Sequence, residues 1–109
     1  MAGALTRVTD DTFAERVLKS EKTVLVDFWA AWCAPCRAVA PVLEALAADY
    51  GDTLEIVQLN VDDNPRTAET YAVTAIPTLD VFQRGRLVKT VIGARPRAAL
   101  ESELAEFLR

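Results

Sequence analysis

The sequence contains no histidine. That removes every Ser-His-Asp triad, every Cys-His nucleophile pair and every imidazole metal ligand. Acid–base work near neutral pH therefore falls to a displaced carboxylate or to cysteine. Cysteine is itself scarce, with two residues, Cys33 and Cys36. Two cysteines do not make the disulfide framework of a small secreted scaffold, whereas a lone C-x-x-C suits a reducing compartment. Long apolar runs are missing too: the uncharged run Phe28 to Cys36 covers nine residues, against the about 20 that a spanning helix needs. Met1 to Asp11 has no basic start followed by an apolar core, so no secretory signal is expected. Basic excess is absent as well. Twelve Lys and Arg stand against sixteen Asp and Glu, a net charge of −4, which gives a phosphate backbone little to hold. The expectation is a soluble, intracellular protein with no membrane, nucleic-acid or metal partner.

What is present is ordinary globular material: 109 residues, 51% hydrophobic and 26% charged, the size of one domain spanning 1–109. Leu5 to Val8 reads as a short strand. Thr9, Asp10 and Asp11 then supply helix-start chemistry, and Phe13, Val17 and Leu18 give a short helix its buried stripe. Thr23 to Ala30 is apolar on both faces, the pattern of a strand inside a mainly parallel sheet covered by helices on each side. Cys33 to about Asp49 turns helical, with Val39, Val42, Leu43 and Leu46 on one side. Pro41 should kink that helix, and Gly51 is its stop signal. Leu54 to Val61 is a second strand, and Asp62 to Pro65 leads into a short helix from about Arg66 to Tyr71. Thr78 to Phe82 and Leu87 to Ile92 flank the turn 83–86 as an antiparallel hairpin. Pro96 opens a last helix whose apolar face is Leu100, Leu104, Phe107 and Leu108. The order β-α-β-α-β-α-β-β-α gives an α/β architecture with one mixed sheet.

Cys33 and Cys36 fall where a buried strand meets the start of a helix. Side chains at i and i+3 share a helix face, within reach of a disulfide. The free N–H groups and partial positive charge at a helix start favour thiolate over thiol beside the first cysteine, and thiolate is the attacking species. Cys33 is then the nucleophile and Cys36 the resolving thiol. Two inert buried cysteines and a zinc-bridged dimer are the competing readings, the latter short of ligands. Asp27 interrupts Val24-Leu25-Val26-Asp27-Phe28-Trp29 on the Leu25 and Trp29 face. A carboxyl with no easy route to water has a raised pKa and can take a proton from Cys36; the alternative is a structural Asp bound to backbone or water. Ile76-Pro77 precedes a strand, and by default the bond is trans.

Taken together, F-W-A-A-W-C-A-P-C at 28–36, Val24 to Asp27 before it, L-N-V-D-D-N-P at 59–65, I-P-T at 76–78, Gly85 and Gly93 resemble the thioredoxin family over essentially the whole chain. The resemblance implies the thioredoxin fold, a central mixed five-stranded sheet flanked by four helices. It implies a protein-disulfide reductase that works through a Cys33–Cys36 dithiol–disulfide cycle, with Asp27 as buried proton acceptor and Pro77 in the cis form. Trp32, Ala34, Pro35, Ile76, Pro77, Gly93 and Ala94 would contact substrate. No bound cofactor is implied. Reducing equivalents would come from NADPH through a flavin-containing thioredoxin reductase, the clients would be disulfide-containing proteins, and the chain would be a cytoplasmic monomer.

Departures from the family pattern are informative. Ala34 replaces the usual Gly of W-C-G-P-C and bears on redox potential, so an oxidant or isomerase is the rival enzyme reading and a structural clamp the non-enzymatic one. Gln58 stands where many relatives carry Lys near the buried acid, which favours protonated Asp27. Thr74-Ala75 alters the approach to Ile76. Asp80 breaks the apolar run 79–82; it is expected to escape at a sheet edge or bond a neighbouring loop, with a second catalytic acid as the sharper alternative.

Overall fold

The computed structural model describes residues 5–109. Its strands are β1 (Thr6–Arg7), β2 (Thr23–Trp29), β3 (Leu54–Asn60), β4 (Thr78–Gln83) and β5 (Arg86–Ile92). Its helices are α1 (Ala34–Tyr50), α2 (Pro65–Thr70) and α3 (Arg97–Glu103), with a π-helical turn at Ala14–Leu18 and a 3-10 turn at Ala105–Phe107 that continues α3. The sheet order is β1-β3-β2-β4-β5. β1 and β2 run parallel to β3, while β4 runs antiparallel to both β2 and β5. This is the mixed five-stranded sheet flanked by helices that the sequence leads one to expect.

Strand alternation divides the core. Leu25, Ile56, Leu79 and Val81 face α1 through Val39, Leu43 and Leu46, and α3 through Leu100 and Leu104. Val24, Val26, Phe28 and Leu59 point the other way, toward Phe13, Val17 and Ala68. A ring cluster of Phe13, Tyr71 and Phe82, with centroids 5.0–5.6 Å apart, closes that second face. Each leucine removed entirely from water here contributes about 1.5–3 kcal/mol. β2 is buried on both sides because it lies at the sheet's centre, so it presents the strand end that precedes Cys33 from a rigid position.

Several details depart from expectation. β1 is shorter than Leu5 to Val8, since as an edge strand it has only β3 to pair with; Val8 still donates its N–H to the Gln58 carbonyl at 2.8 Å. The first helix is a π turn in which Lys19 N donates to the Ala14 carbonyl at 2.9 Å. Its start is bound by Thr9 and Thr12, each of which accepts the other's backbone N–H on its hydroxyl, at 2.8 and 3.2 Å. Asp10 serves a different helix: its carboxylate accepts the N–H groups of Arg66 and Thr67 at 3.1 and 2.8 Å and caps α2. α1 runs through Pro41 as one helix of 17 residues. Gly51 ends it at φ −60°, without left-handed backbone; a Cβ there would stand 2.9 Å from the Ala47 carbonyl oxygen. The hairpin tip places Arg84 at φ 51° and Gly85 at φ 80°, the two positive values that a two-residue turn of type I′ requires.

Asp80 corrects the expectation of an edge carboxylate. β4 is an interior strand, and Asp80, 1% exposed, accepts the Thr90 hydroxyl on β5 at 2.7 Å. The bond is strand to strand, directly across the ladder. It lies on the face opposite α1, because Asp80 pairs with Val26 while Asp27 pairs with Leu79.

Candidate active site

β2 ends at Trp29 and the chain turns through Ala30 to Trp32 before α1 begins. Cys33 is the N-cap of α1, with extended backbone at φ −90° and ψ 107°. Pro35 sits in the first helical turn, where a missing N–H removes no intrahelical bond. Cys33 and Cys36 are joined as a disulfide with Cα atoms 5.3 Å apart. The Cys36 N–H donates to Cys33 Sγ at 3.2 Å, so the cap sulfur takes up one of the helix's free donors. An electron-rich sulfur at this position is stabilised by that donor and by the positive end of the helix.

Around the sulfurs the structure gathers Ala30, Val61, Trp29 and Ile76 into a small apolar cluster. The Ile76–Pro77 bond is cis, the isomer the resemblance implies and not the default one. The Ile76 carbonyl oxygen lies 3.9 Å from Cys33 Sγ; a disulfide sulfur has no proton, so in this state the approach is a contact. Gly93 N donates to the Pro77 carbonyl at 2.8 Å, which ties the end of β5 to the same turn. Gly93 has φ 95°, a conformation that suits glycine. Trp32 is 69% exposed, and its indole N–H donates to Asp62 Oδ2 at 2.9 Å. Ala34, Pro35 and Ala94 are exposed nearby in sequence. Two groups bearing on this loop carried no distinct signal in the sequence: Asp62, the Trp32 partner from 30 residues away, and Arg37, whose guanidinium reaches the Ala31 carbonyl.

Asp27 is fully buried, on the sheet face that α1 covers. Burial pushes its carboxyl up to about 6, and a hydrogen bond from the Gln58 amide to Oδ2 at 3.3 Å opposes the rise. Oδ1 has no protein hydrogen-bond partner. A carboxyl in that condition gains more from a proton than one in water does. Gln58 also lines a cleft of about 290 Å³ with Arg7, Asn60 and Asp63, so it stands between the buried acid and the surface. Among the described residues no group of acidic, cysteine or histidine side chains could hold a metal ion, and no helix is long and apolar enough to cross a membrane.

The chain is similar to known proteins along most of its length. It matches the family model described as Thioredoxin over residues 4–106. A thioredoxin of Streptomyces clavuligerus is 62% identical over 100 residues, covering 92% of this chain and 92% of the relative. A thioredoxin of Mycolicibacterium smegmatis is 50% identical over 107 residues, covering 96% of each. A thioredoxin of Porphyra purpurea is 46% identical over 105 residues, covering 96% of this chain and 98% of the relative. With a C-x-x-C disulfide at the mouth of a helix and this extent of similarity, the chain belongs to the thioredoxin family and is a thiol–disulfide oxidoreductase.

Proposed function

We propose that the chain acts as one domain over residues 1–109 and reduces disulfides in client proteins. The observation that carries the reading is the Cys33–Cys36 disulfide with Cys33 as the cap of α1. In the reduced protein the Cys33 thiolate attacks one client sulfur; the client's S–S bond breaks, the other client sulfur leaves as thiolate and takes a proton from water, and a mixed disulfide forms. Asp27 takes the proton of Cys36, whose thiolate then attacks Cys33 Sγ. The client sulfur held in the mixed disulfide leaves as thiolate and gains a proton, and the Cys33–Cys36 bond closes. The client has gained two electrons and the dithiol has lost two. Trp32, Ala34, Pro35, Ile76, Pro77, Gly93 and Ala94 form the shallow docking face for an extended client segment.

The electrons return from NADPH through a flavin-containing thioredoxin reductase, so the flavin belongs to the partner. The protein works as a monomer in the cytoplasm and maintains cell redox homeostasis. The test is NADPH oxidation with insulin as substrate and a thioredoxin reductase from the same source. Turnover is expected with the wild type and absent with Cys33→Ser. Insulin reduction that occurs only when dithiothreitol replaces NADPH and reductase would assign a different electron donor. No reduction under either condition would overturn the reductase reading.

A further inference from the structure

The segment before Cys33 is held from both flanks. On one side Trp32 donates its indole N–H to Asp62 at 2.9 Å. On the other, Arg37 Nη1 donates to the Ala31 carbonyl at 2.7 Å, and the Arg37 backbone N–H donates to the Cys33 carbonyl at 3.2 Å. Cys33 N completes the turn by donating to the Ala30 carbonyl at 3.1 Å. The Arg37 side chain thus holds the Ala31 carbonyl of the loop that carries the exposed Trp32 and the cap sulfur, while its backbone bond to Cys33 is the first i→i−4 bond of α1. It forms no ion pair among the described residues, so its charge is not neutralised by a neighbouring carboxylate. An ionised donor makes the stronger kind of hydrogen bond to a carbonyl, and a guanidinium fixes direction better than an ammonium on a flexible stem.

We propose that Arg37 is a positioning residue for the thiol chemistry: it holds Ala31 to Cys33 in the cap geometry and brings a cation to the loop that carries the attacking sulfur. The proposal rests on the reading of Cys33 as that nucleophile. Its two effects are separable. The tether presents Trp32 and the cap sulfur to a client without a loop-ordering cost at docking. The charge favours the thiolate formed each time the disulfide opens.

The test compares Arg37→Met, Arg37→Lys and Cys33→Ser in two assays: the pH profile of iodoacetamide trapping of reduced Cys33, and kcat and KM for insulin reduction driven by dithiothreitol. Arg37→Met keeps the aliphatic stem and loses donor and charge. It should move the alkylation midpoint to higher pH and lower kcat/KM about three- to tenfold, with KM raised. Arg37→Lys should restore the midpoint and recover kcat/KM only in part. Near-UV circular dichroism checks that each variant is folded; should Arg37→Met unfold, Arg37→Gln takes its place. An unchanged midpoint overturns the proposal even if kcat/KM falls, because general loosening of the loop would produce that result. Full insulin reduction by Cys33→Ser removes the nucleophile reading instead. An inactive Cys33→Ser beside a wild-type-like Arg37→Met removes only the role of Arg37.

Discussion

At Asp27, stability and the proton-acceptor role proposed for it pull in opposite directions. Its folded value of about 6 exceeds the ordinary 3.8, with burial as the cause and Gln58 as a partial counterweight. Below 3.8 the carboxyl is neutral in both states and costs no ionisation energy. As pH rises through 6 the folded state must give up a proton it holds more tightly than the unfolded chain does, and the loss reaches about 3 kcal/mol. Asp27→Asn should therefore be more stable than wild type at about pH 7.5 by up to that amount, with little difference at about pH 4, in urea titrations at the two pH values. Equal stability at the higher pH would refute the account. Gln58→Lys should lower the Asp27 midpoint in an NMR titration, because an ammonium favours the carboxylate where an amide only donates a hydrogen bond. Asp27 was legible in the sequence because alternation in a strand apolar on both faces leaves a carboxyl no exit. Asp62 was not. Its contact with Trp32 depends on where the segment after β3 travels, and no local pattern encodes that path.

The strands and α1 are readable because apolar periodicity and Gly or Pro punctuation are local signals; of the helix-start chemistry at 9–11, Thr9 serves the first helix as expected, while Asp10 serves α2. Thr9 and Thr12 bind each other's backbone N–H groups, and Asp10 crosses to the α2 start, where the Thr67 hydroxyl also donates to it at 2.7 Å. An acidic residue beside Thr looks the same in sequence whether it caps the next helix or one that folds against it later. Burial would raise the Asp10 carboxyl, but the bonds from Thr67 and Arg66 outweigh it and the carboxyl lies below its usual value. A depressed carboxyl contributes stability above its unfolded value and loses it as pH falls through the folded one. Asp10→Ala should accordingly cost about 1–2 kcal/mol at neutral pH, with the difference shrinking at about pH 3 and below. Urea denaturation with loss of α2 amide protection in hydrogen exchange measures both parts. A penalty of the same size at about pH 2 would mean that shape and not charge makes the cap.

Across the described residues the carboxyls displaced from their ordinary values separate into two sets. Asp27 and Asp80 are buried on opposite faces of the central strands, and burial raises both, opposed by Gln58 and Thr90 respectively. Asp10 is lowered by its bonds at the α2 cap, and Glu103 by Lys89, whose ammonium lies 3.1 Å away, with Arg95 adding to it. The raised pair withdraws stability as pH climbs past about 4, and the lowered pair withdraws it as pH drops below about 4, so the maximum lies on the acid side of neutrality. This follows from a sheet that encloses a carboxyl on each face while the cations stay at the surface. A composition of sixteen acids and twelve bases gives no hint of it, since neither count records burial. Wild-type stability should fall by at least about 2 kcal/mol between about pH 4 and pH 8. In the double variant Asp27→Asn with Asp80→Asn that decline should flatten, while the loss at lower pH persists because Asp10 and Glu103 are untouched. The Thr90 hydroxyl can still donate to the amide oxygen that replaces the Asp80 carboxylate, so the double variant keeps its cross-strand bond and tests charge alone. An alkaline decline that survives both substitutions would place its origin elsewhere, in groups exposed to solvent.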